Sequence, residues 1–519
     1  MKKVVDRKKE LDMLKKKNII VLLLAVVVFC AAVFSMAIFL ETGNARETVG
    51  YTSAENFDGI FVPSDENSGL FFDTEGFWAE DGICIFLPST ADITKLVFYS
   101  VGKDGSYLER FQNDFSQEDV EIQGKHVYVM HSDNPAINIQ IFANSPSLDE
   151  IEASEKHDLY TNGIMELQTV SGERVCQSMK MRGRGNITWL ADKKSYQVTL
   201  DKREDLLGMG SAKKWALVAN SGDYSLLRNE VFLSLAEDMG LPYPAKIQQV
   251  DLFINGEYRG EYSLCTKVEV GENRVNIEKN DYLYCLLDEK EANTYSIYDD
   301  PSLLNDGDYK HMYAELRDCD DINIIEKSMK YIQNVINEFY DPDSELTDVD
   351  VISLAKYYWL QEFSKTTDPT VRSVYLYWNS GEKKMYTGPA WDYDRTAGII
   401  EMPFLEEDYI WPSGWTARKR DYYNRLFENP VFVAAVKDVY ENYGVKEAFR
   451  KAADEVEGRI ERNDAAARMN FVRWSIPEEQ SNKVMQTYQD NSYDSQVRWL
   501  REWLTMRADW IEEEMEGQE

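Results

Sequence analysis

From Ile19 to Leu40 the chain runs 22 residues without a charge, and no other segment restricts its folding so tightly. In hydrocarbon a segment must satisfy its own backbone polar groups, so such a run forms a helix. At roughly 1.5 Å per residue it spans a bilayer core of ~30 Å. Met1 to Lys17 carries eight Lys/Arg against three Asp/Glu and ends in Lys15-Lys16-Lys17, which keeps that end cytoplasmic and sends the bulk outside. The expectation is a basic cytoplasmic tail over 1–18, a single-pass anchor in the cell membrane over 19–40, and an extracellular remainder. A cleaved signal peptide processed at Ser35-Met36-Ala37 is the alternative. Apolar Ile38-Phe39-Leu40 continue past that site and favour the anchor.

A formal charge of −34 over 519 residues repels nucleic acid and anionic lipid, and suits a solvated exterior with basic partners. Cys30 lies in the apolar run. The remaining five, Cys84, Cys176, Cys265, Cys285 and Cys319, cannot all pair, and read as mostly buried small apolar residues with Cys265–Cys285 the pair to check. A polar linker is expected over 41–56. From 57 to 145, short β-type runs such as Ile83–Leu87, Lys95–Tyr99 and His126–Met130 alternate with turn residues and indicate a small β-rich domain.

Further along, the residues begin to carry chemistry. In Lys180-Met-Arg-Gly-Arg-Gly-Asn186 a glycine-punctuated turn brings together arginines and backbone N–H groups suited to an anion, and Lys194, Tyr196 and Val198 share one face of the strand that follows. A β-hairpin with a solvated basic edge is the plainer reading. Asp223 is placed to cap a helix that runs through Arg228 and Asn229 and stops at Gly240 before Pro242. Val250 to Leu264 is a hairpin, because Asn255-Gly256 supplies the positive φ angles of a type I′ turn; Lys267 follows. In Gly388-Pro-Ala-Trp-Asp-Tyr-Asp394, two acids one residue apart in an extended segment project to the same side, as at a strand end that holds a divalent metal. Turn or cap roles are the ordinary alternative for such a pair. The apolar positions from Trp499 to Trp510 have helical spacing and read as core.

Met181 to Trp189, Lys193-Lys194, Lys213 to Leu217, Leu226 to Asn229, Val250 to Gly260, Arg274 to Ile277 and Gly388 to Asp394, taken together and in this order, resemble the CotH kinase family, named for spore coat protein H. The resemblance covers roughly residues 146–515. It implies an α+β, atypical protein-kinase-like two-lobed domain, here preceded by one transmembrane helix and the small β domain. It also implies transfer of phosphate from ATP, with Mg2+ or Mn2+, to Ser/Thr of secreted or cell-surface proteins, basic ones among them.

Carried over residue by residue, the resemblance implies Asp368 and Asp392 as catalytic, Asp392 and Asp394 as metal-binding, and Arg184, Asn186, Lys194, Arg228, Asn229 and Lys267 as nucleotide-binding. Two departures stand out. Cys265-Thr266-Lys267 lacks the glutamate usual beside the lysine, and Arg372 and Ser373 stand where a metal-binding Asn is expected. A weak or inactive pseudokinase serving as a surface binding scaffold, its aromatic residues contacting sugars, is therefore the second reading. A glycoside hydrolase is a third and poorer one, since its carboxylates stand roughly 5 to 9.5 Å apart across a bond.

Overall fold

A computed structural model describes residues 56–115, 120–291, 293–299, 311–399, 409–477 and 483–517. The first elements form two four-stranded sheets facing across a shared core. One holds β1 (Phe57–Val62), β2 (Thr74–Glu75), β5 (Leu96–Gly102) and β6 (Tyr107–Asn113). The other holds β3 (Phe77–Ala79), β4 (Gly82–Leu87), β7 (Val120–Ile122) and β8 (Lys125–His131). Ile60, Val62, Ile83, Ile85, Leu96 and Phe98 fill the space between them.

Seven strands then close a barrel: β9 (Ala136–Ile141), β10 (Thr161–Gln168), β11 (Arg174–Arg184), β12 (Ser195–Glu204), β13 (Ala212–Val218), β14 (Ile247–Ile254) and β15 (Glu257–Thr266). Two pairings join strands that are not consecutive, β13 with β15 and the parallel contact of β9 with β14 that completes the ring. Alternation fills the interior: Met165 and Leu167, then Tyr196, Val198 and Leu200, then Val250 and Leu252 point inward. The β14–β15 hairpin turns at Asn255-Gly256 with φ of 52° and 82°, as its residues predict. Gly256 is required there, since a Cβ would fall 1.9 Å from the Asp73 carbonyl oxygen. Thr74 Oγ1 donates to the Gly256 carbonyl at 2.6 Å, and the Phe72–Phe253 and Phe86–Tyr258 ring pairs continue the seam between sandwich and hairpin.

The rest is a five-stranded antiparallel sheet packed with helices. Its strands are β16 (Tyr282–Leu287), β17 (Tyr295–Asp299), β18 (His311–Leu316), β19 (Val374–Asn379) and β20 (Lys384–Thr387), in the order β17-β18-β16-β19-β20. The helices are α1 (Leu148–Glu152) and α2 (Arg228–Asp238) beside the barrel, then α3 (Ile322–Tyr340), α4 (Val351–Ser364), α5 (Asp421–Leu426), α6 (Pro430–Asn442), α7 (Val445–Arg473), α8 (Lys483–Tyr488) and α9 (Tyr493–Glu516). Helix α4 is the hub, buried on every side from Tyr357 to Ser364. At its end the Glu362 carboxylate accepts from Arg507 of α9 and from the Thr416 and Arg418 amides at 2.7–2.9 Å. Both side chains of that ion pair are fully buried. The α9 stripe is core at Trp499, Leu500, Trp503 and Leu504, while Met506 points outward.

The expected fold class is corrected in its membrane element. Among the described residues no helix is long and apolar enough to cross a membrane, and the run Ile19–Leu40 lies outside them. What is described is a mixture of helices and strands built around a closed barrel. Helix α2 also begins later than its capping signal suggests: its first residue is Arg228, not one following Asp223. The Asp223 carboxylate instead folds the intervening turn, accepting from the Ser225 and Arg228 amides at 2.9 and 2.8 Å. Cys84, Cys176, Cys265, Cys285 and Cys319 are all free thiols.

Candidate functional site

Two loops of the helical part converge. One follows α4: Lys365 turns left-handed at φ 49°, and Asp368-Pro369-Thr370-Val371-Arg372-Ser373 leads into β19, with Arg372 and Ser373 also left-handed at 54° and 55°. The other follows β20 and carries Asp392 and Asp394. It is not a strand. Asp392 has φ 73°, so the two-residue alternation fails there: Asp392 is exposed and Asp394 is buried. The loops meet where Ser373 Oγ donates to Asp392 Oδ2 at 2.8 Å.

Asp368 sits close enough to Asp392 for the two carboxylates to repel. Its carboxyl is pushed above the usual range, first by burial and then by the charges of Asp392 and Asp288, against the pull of Arg372 and Arg420. Arg372 forks onto Asp288 at 3.0 and 2.6 Å, and its Nη1 stands 3.7 Å from Asp368.

Arg228 and Asn229 are buried, and they hold the backbone of the loop that carries Asp392 and Asp394. Arg228, paired with Asp223 at 2.5 Å, donates to the Thr396 and Ala397 carbonyls at 2.9 and 3.2 Å. Asn229 Oδ1 accepts from the Tyr393 amide at 2.8 Å. They position the site from behind.

The outer face of the barrel supplies the opposite wall. Alternation places Tyr196 and Val198 inside, so Gln197 faces outward, as does Lys267 beyond the end of β15. Lys267 Nζ donates to Gln197 Oε1 at 2.6 Å. Burial and the nearby Arg184, Lys214 and Arg182 lower its pKa to about 8, against the pull of Glu269. Its hydrogen-bond partner is a neutral amide, in keeping with the missing glutamate. Thr266 at that place accepts from the Lys246 amide at 2.9 Å. Arg184 lies over the Trp391 ring at 5.2 Å, one residue before Asp392, so the basic turn and the Asp392 loop touch. Lys267 and Pro389 line a cavity of about 490 Å³ together with Tyr243, Val268, Arg274 and Val275.

Lys194 and Asn186 stand apart from this group. Lys194 shares the inward parity of Tyr196, and its ammonium donates to the Trp189 carbonyl at 2.7 Å beneath that indole. Asn186 is exposed at the start of a short 3-10 turn, and its side chain caps nothing. Trp189 folds the turn by lying on Gly183, where a Cβ would come within 2.3 Å of the ring.

Asp288, Gln197 and Trp391 escape the sequence reading. Gln197 lies within β12 and Asp288 directly after β16, neither with a local mark of function, and Trp391 is masked by the acid beside it. Among the described residues there is no cluster of three or more His, Cys, Asp or Glu arranged to hold a metal. A magnesium-type ion is held by one or two carboxylates plus waters and phosphate oxygens. Exposed Asp392, with a hydroxyl at its side and a second carboxylate nearby, fits that kind of ion and not a closed protein cage.

The sequence matches a family model described as CotH kinase protein over residues 181–511, more than half of the chain. No curated protein matches it. The matched span takes in the basic turn, Lys267 and both converging loops, and the chain belongs to the CotH kinase protein family.

Proposed function

We propose that this kinase-family chain transfers the γ-phosphoryl group of ATP to Ser/Thr hydroxyls of secreted or cell-surface proteins. The observation that carries this reading is the meeting of Asp368 and Asp392 through one dipeptide, Arg372-Ser373, opposite a basic wall of Arg184 and Lys267. Lys267, and Arg184 seated on Trp391, hold the triphosphate against the barrel. Asp392, with Asp394 behind it, would hold the ion, and a bound Mg2+ or Mn2+ supplies charge neutralisation at the phosphate oxygens. Asp368 orients the acceptor hydroxyl and takes its proton; the raised affinity of this carboxyl for protons suits that task. The formal charge of −34 favours basic acceptor proteins.

A weak or inactive kinase acting as a binding scaffold is the second reading. It is favoured by one observation: Lys267 pairs with Gln197, a neutral partner, where active kinases hold the lysine with a carboxylate. Incubation with γ-labelled ATP and Mg2+ or Mn2+ separates the two. Incorporation into the chain itself or a secreted protein, abolished by Asp392→Asn, supports transfer. ATP binding without incorporation supports the scaffold.

A further inference from the structure

We propose that Arg372 is a further catalytic residue: its guanidinium, clamped by Asp288 beside Asp368, contacts the phosphoryl group in transfer and supplies a fixed positive charge there. This rests on the phosphoryl-transfer reading above.

Geometry argues first. Arg372 Nε and Nη2 engage both oxygens of Asp288, and Nη1 is left on the side of Asp368, 3.7 Å from its carboxylate. The acceptor hydroxyl held by Asp368 would thus have a guanidinium edge as its neighbour. Asp288 is 8% exposed and Arg372 is 45% exposed: a buried carboxylate fixes a guanidinium that is itself nearly half exposed. An ordinary surface ion pair would leave both partners in solvent and gain little.

The backbone argues second. Arg372 and Ser373 are consecutive residues with a Cβ, both in the left-handed region at φ 54° and 55°, a conformation such residues rarely adopt. Arg372 N–H donates to the Leu286 carbonyl at 2.9 Å, and Ser373 Oγ to Asp392 at 2.8 Å. The unusual turn therefore sets the guanidinium in register with both carboxylates at once, which a brace for the loop alone would not need.

The chemistry argues third. In transfer, the bond from the γ-phosphorus to the bridging oxygen of ADP breaks and ADP leaves with the electron pair. The acceptor oxygen forms the new P–O bond, and its proton passes to Asp368. Charge builds on the equatorial phosphoryl oxygens, where a planar guanidinium binds well. In many kinases an amide near this place holds a second cation; here the side chain is itself a cation. Arg372 also holds Asp368 toward its ionised form, the form that accepts a proton.

The test uses the full chain and its Arg372→Ala and Arg372→Lys variants, each checked for an unchanged melting transition. Arg372→Ala should lose about 100-fold in kcat with KM for ATP within about threefold, and tens of millimolar guanidinium ion should restore at least tenfold. Arg372→Lys, which keeps the charge without the fork, should fall between. ADP with aluminium fluoride should bind wild type more tightly than ADP alone, and Arg372→Ala should erase that difference. A kcat for Arg372→Ala within threefold of wild type, or a loss that guanidinium does not repair, overturns the proposal and leaves Arg372 as a loop brace. If Arg372→Ala does not fold, Arg372→Lys with undiminished kcat and an intact aluminium fluoride preference overturns it equally. Absence of transfer by the wild-type chain sinks the phosphoryl-transfer reading together with this one, and is seen before any variant is made.

Discussion

The side-chain oxygen of Asn229 accepts the backbone N–H of Tyr393, the residue between Asp392 and Asp394, at 2.8 Å, and its amide nitrogen donates to Asn220 Oδ1 at 3.0 Å. One buried amide therefore ties the start of α2 to the loop that carries Asp392 and Asp394. Asn229→Ala leaves two buried polar groups without partners, at a cost of about 1–3 kcal/mol each. The expected outcome is a lower urea midpoint with an unchanged slope, and weaker Mn2+ binding in the presence of ATP. Equal Mn2+ affinity in the folded variant would mean that the loop holds its shape without this tether.

Lys267 invites a pH experiment. Its pKa is lowered to about 8 from the usual 10.5, so the ammonium is fully charged below about pH 7 and largely neutral above about 9. ATP affinity is expected to be flat below pH 7 and to fall as pH rises through 8. Lys267→Arg, which stays charged, should remove that fall, and Lys267→Met should bind weakly at every pH. The stability sign is opposite. The folded state disfavours the charged lysine, so the wild type carries a penalty below about pH 8 that is relieved as pH rises from 8 to 10.5. Lys267→Met should accordingly melt higher than wild type at pH 7, with the gap closing by pH 10.5.

Gly183 lies under the Trp189 ring with no space for a methyl group. Gly183→Ala must move either the indole or strand β11, at a cost of about 1–3 kcal/mol for overpacking. Because Arg184 is the next residue and rests on Trp391, the same change should weaken ATP binding. Tryptophan fluorescence and a nucleotide titration on the same sample check both effects. An unshifted spectrum with normal affinity would show that the turn absorbs the methyl freely.

Features written in short-range chemistry were legible in the sequence, and features that depend on long-range closure were not. Asn255-Gly256 announces its hairpin because a type I′ turn is settled by two residues. The Trp499–Leu504 stripe announces a buried helix face for the same reason. Arg228 and Asn229 stood out as polar residues, but their work is done on Thr396, Ala397 and Tyr393, over 160 positions away, so their positioning role is visible only in three dimensions. Lys194 shows how far strand parity reaches. It shares the parity of Tyr196 and Val198 but precedes β12, and its half-buried side chain turns to the Trp189 carbonyl instead of entering the barrel. The alternation expected of Asp392 and Asp394 is broken by the left-handed φ of 73° at Asp392, which its residue type permits but does not dictate.

Glu261 offers the sharpest test of how the barrel meets α7. Both its carboxylate oxygens are buried without a hydrogen-bond partner, while its backbone N–H donates to Asn470 Oδ1 at 3.2 Å. Burial pushes its carboxyl up to about 8, against the attraction of Lys193 and with added repulsion from Asp251. A carboxyl whose folded pKa is raised contributes its stability below the unfolded value of about 4.5 and loses it as pH rises through 8. The wild type should therefore lose stability steadily between about pH 5 and 8. Glu261→Gln, neutral throughout and nearly the same shape, should flatten that slope and exceed wild type by about 1–3 kcal/mol near pH 8. Urea unfolding at pH 5, 6.5 and 8 decides the matter. Parallel pH profiles for the two proteins would mean that Lys193 compensates the buried charge in full, and that the seam between barrel and helix tolerates an ionised glutamate.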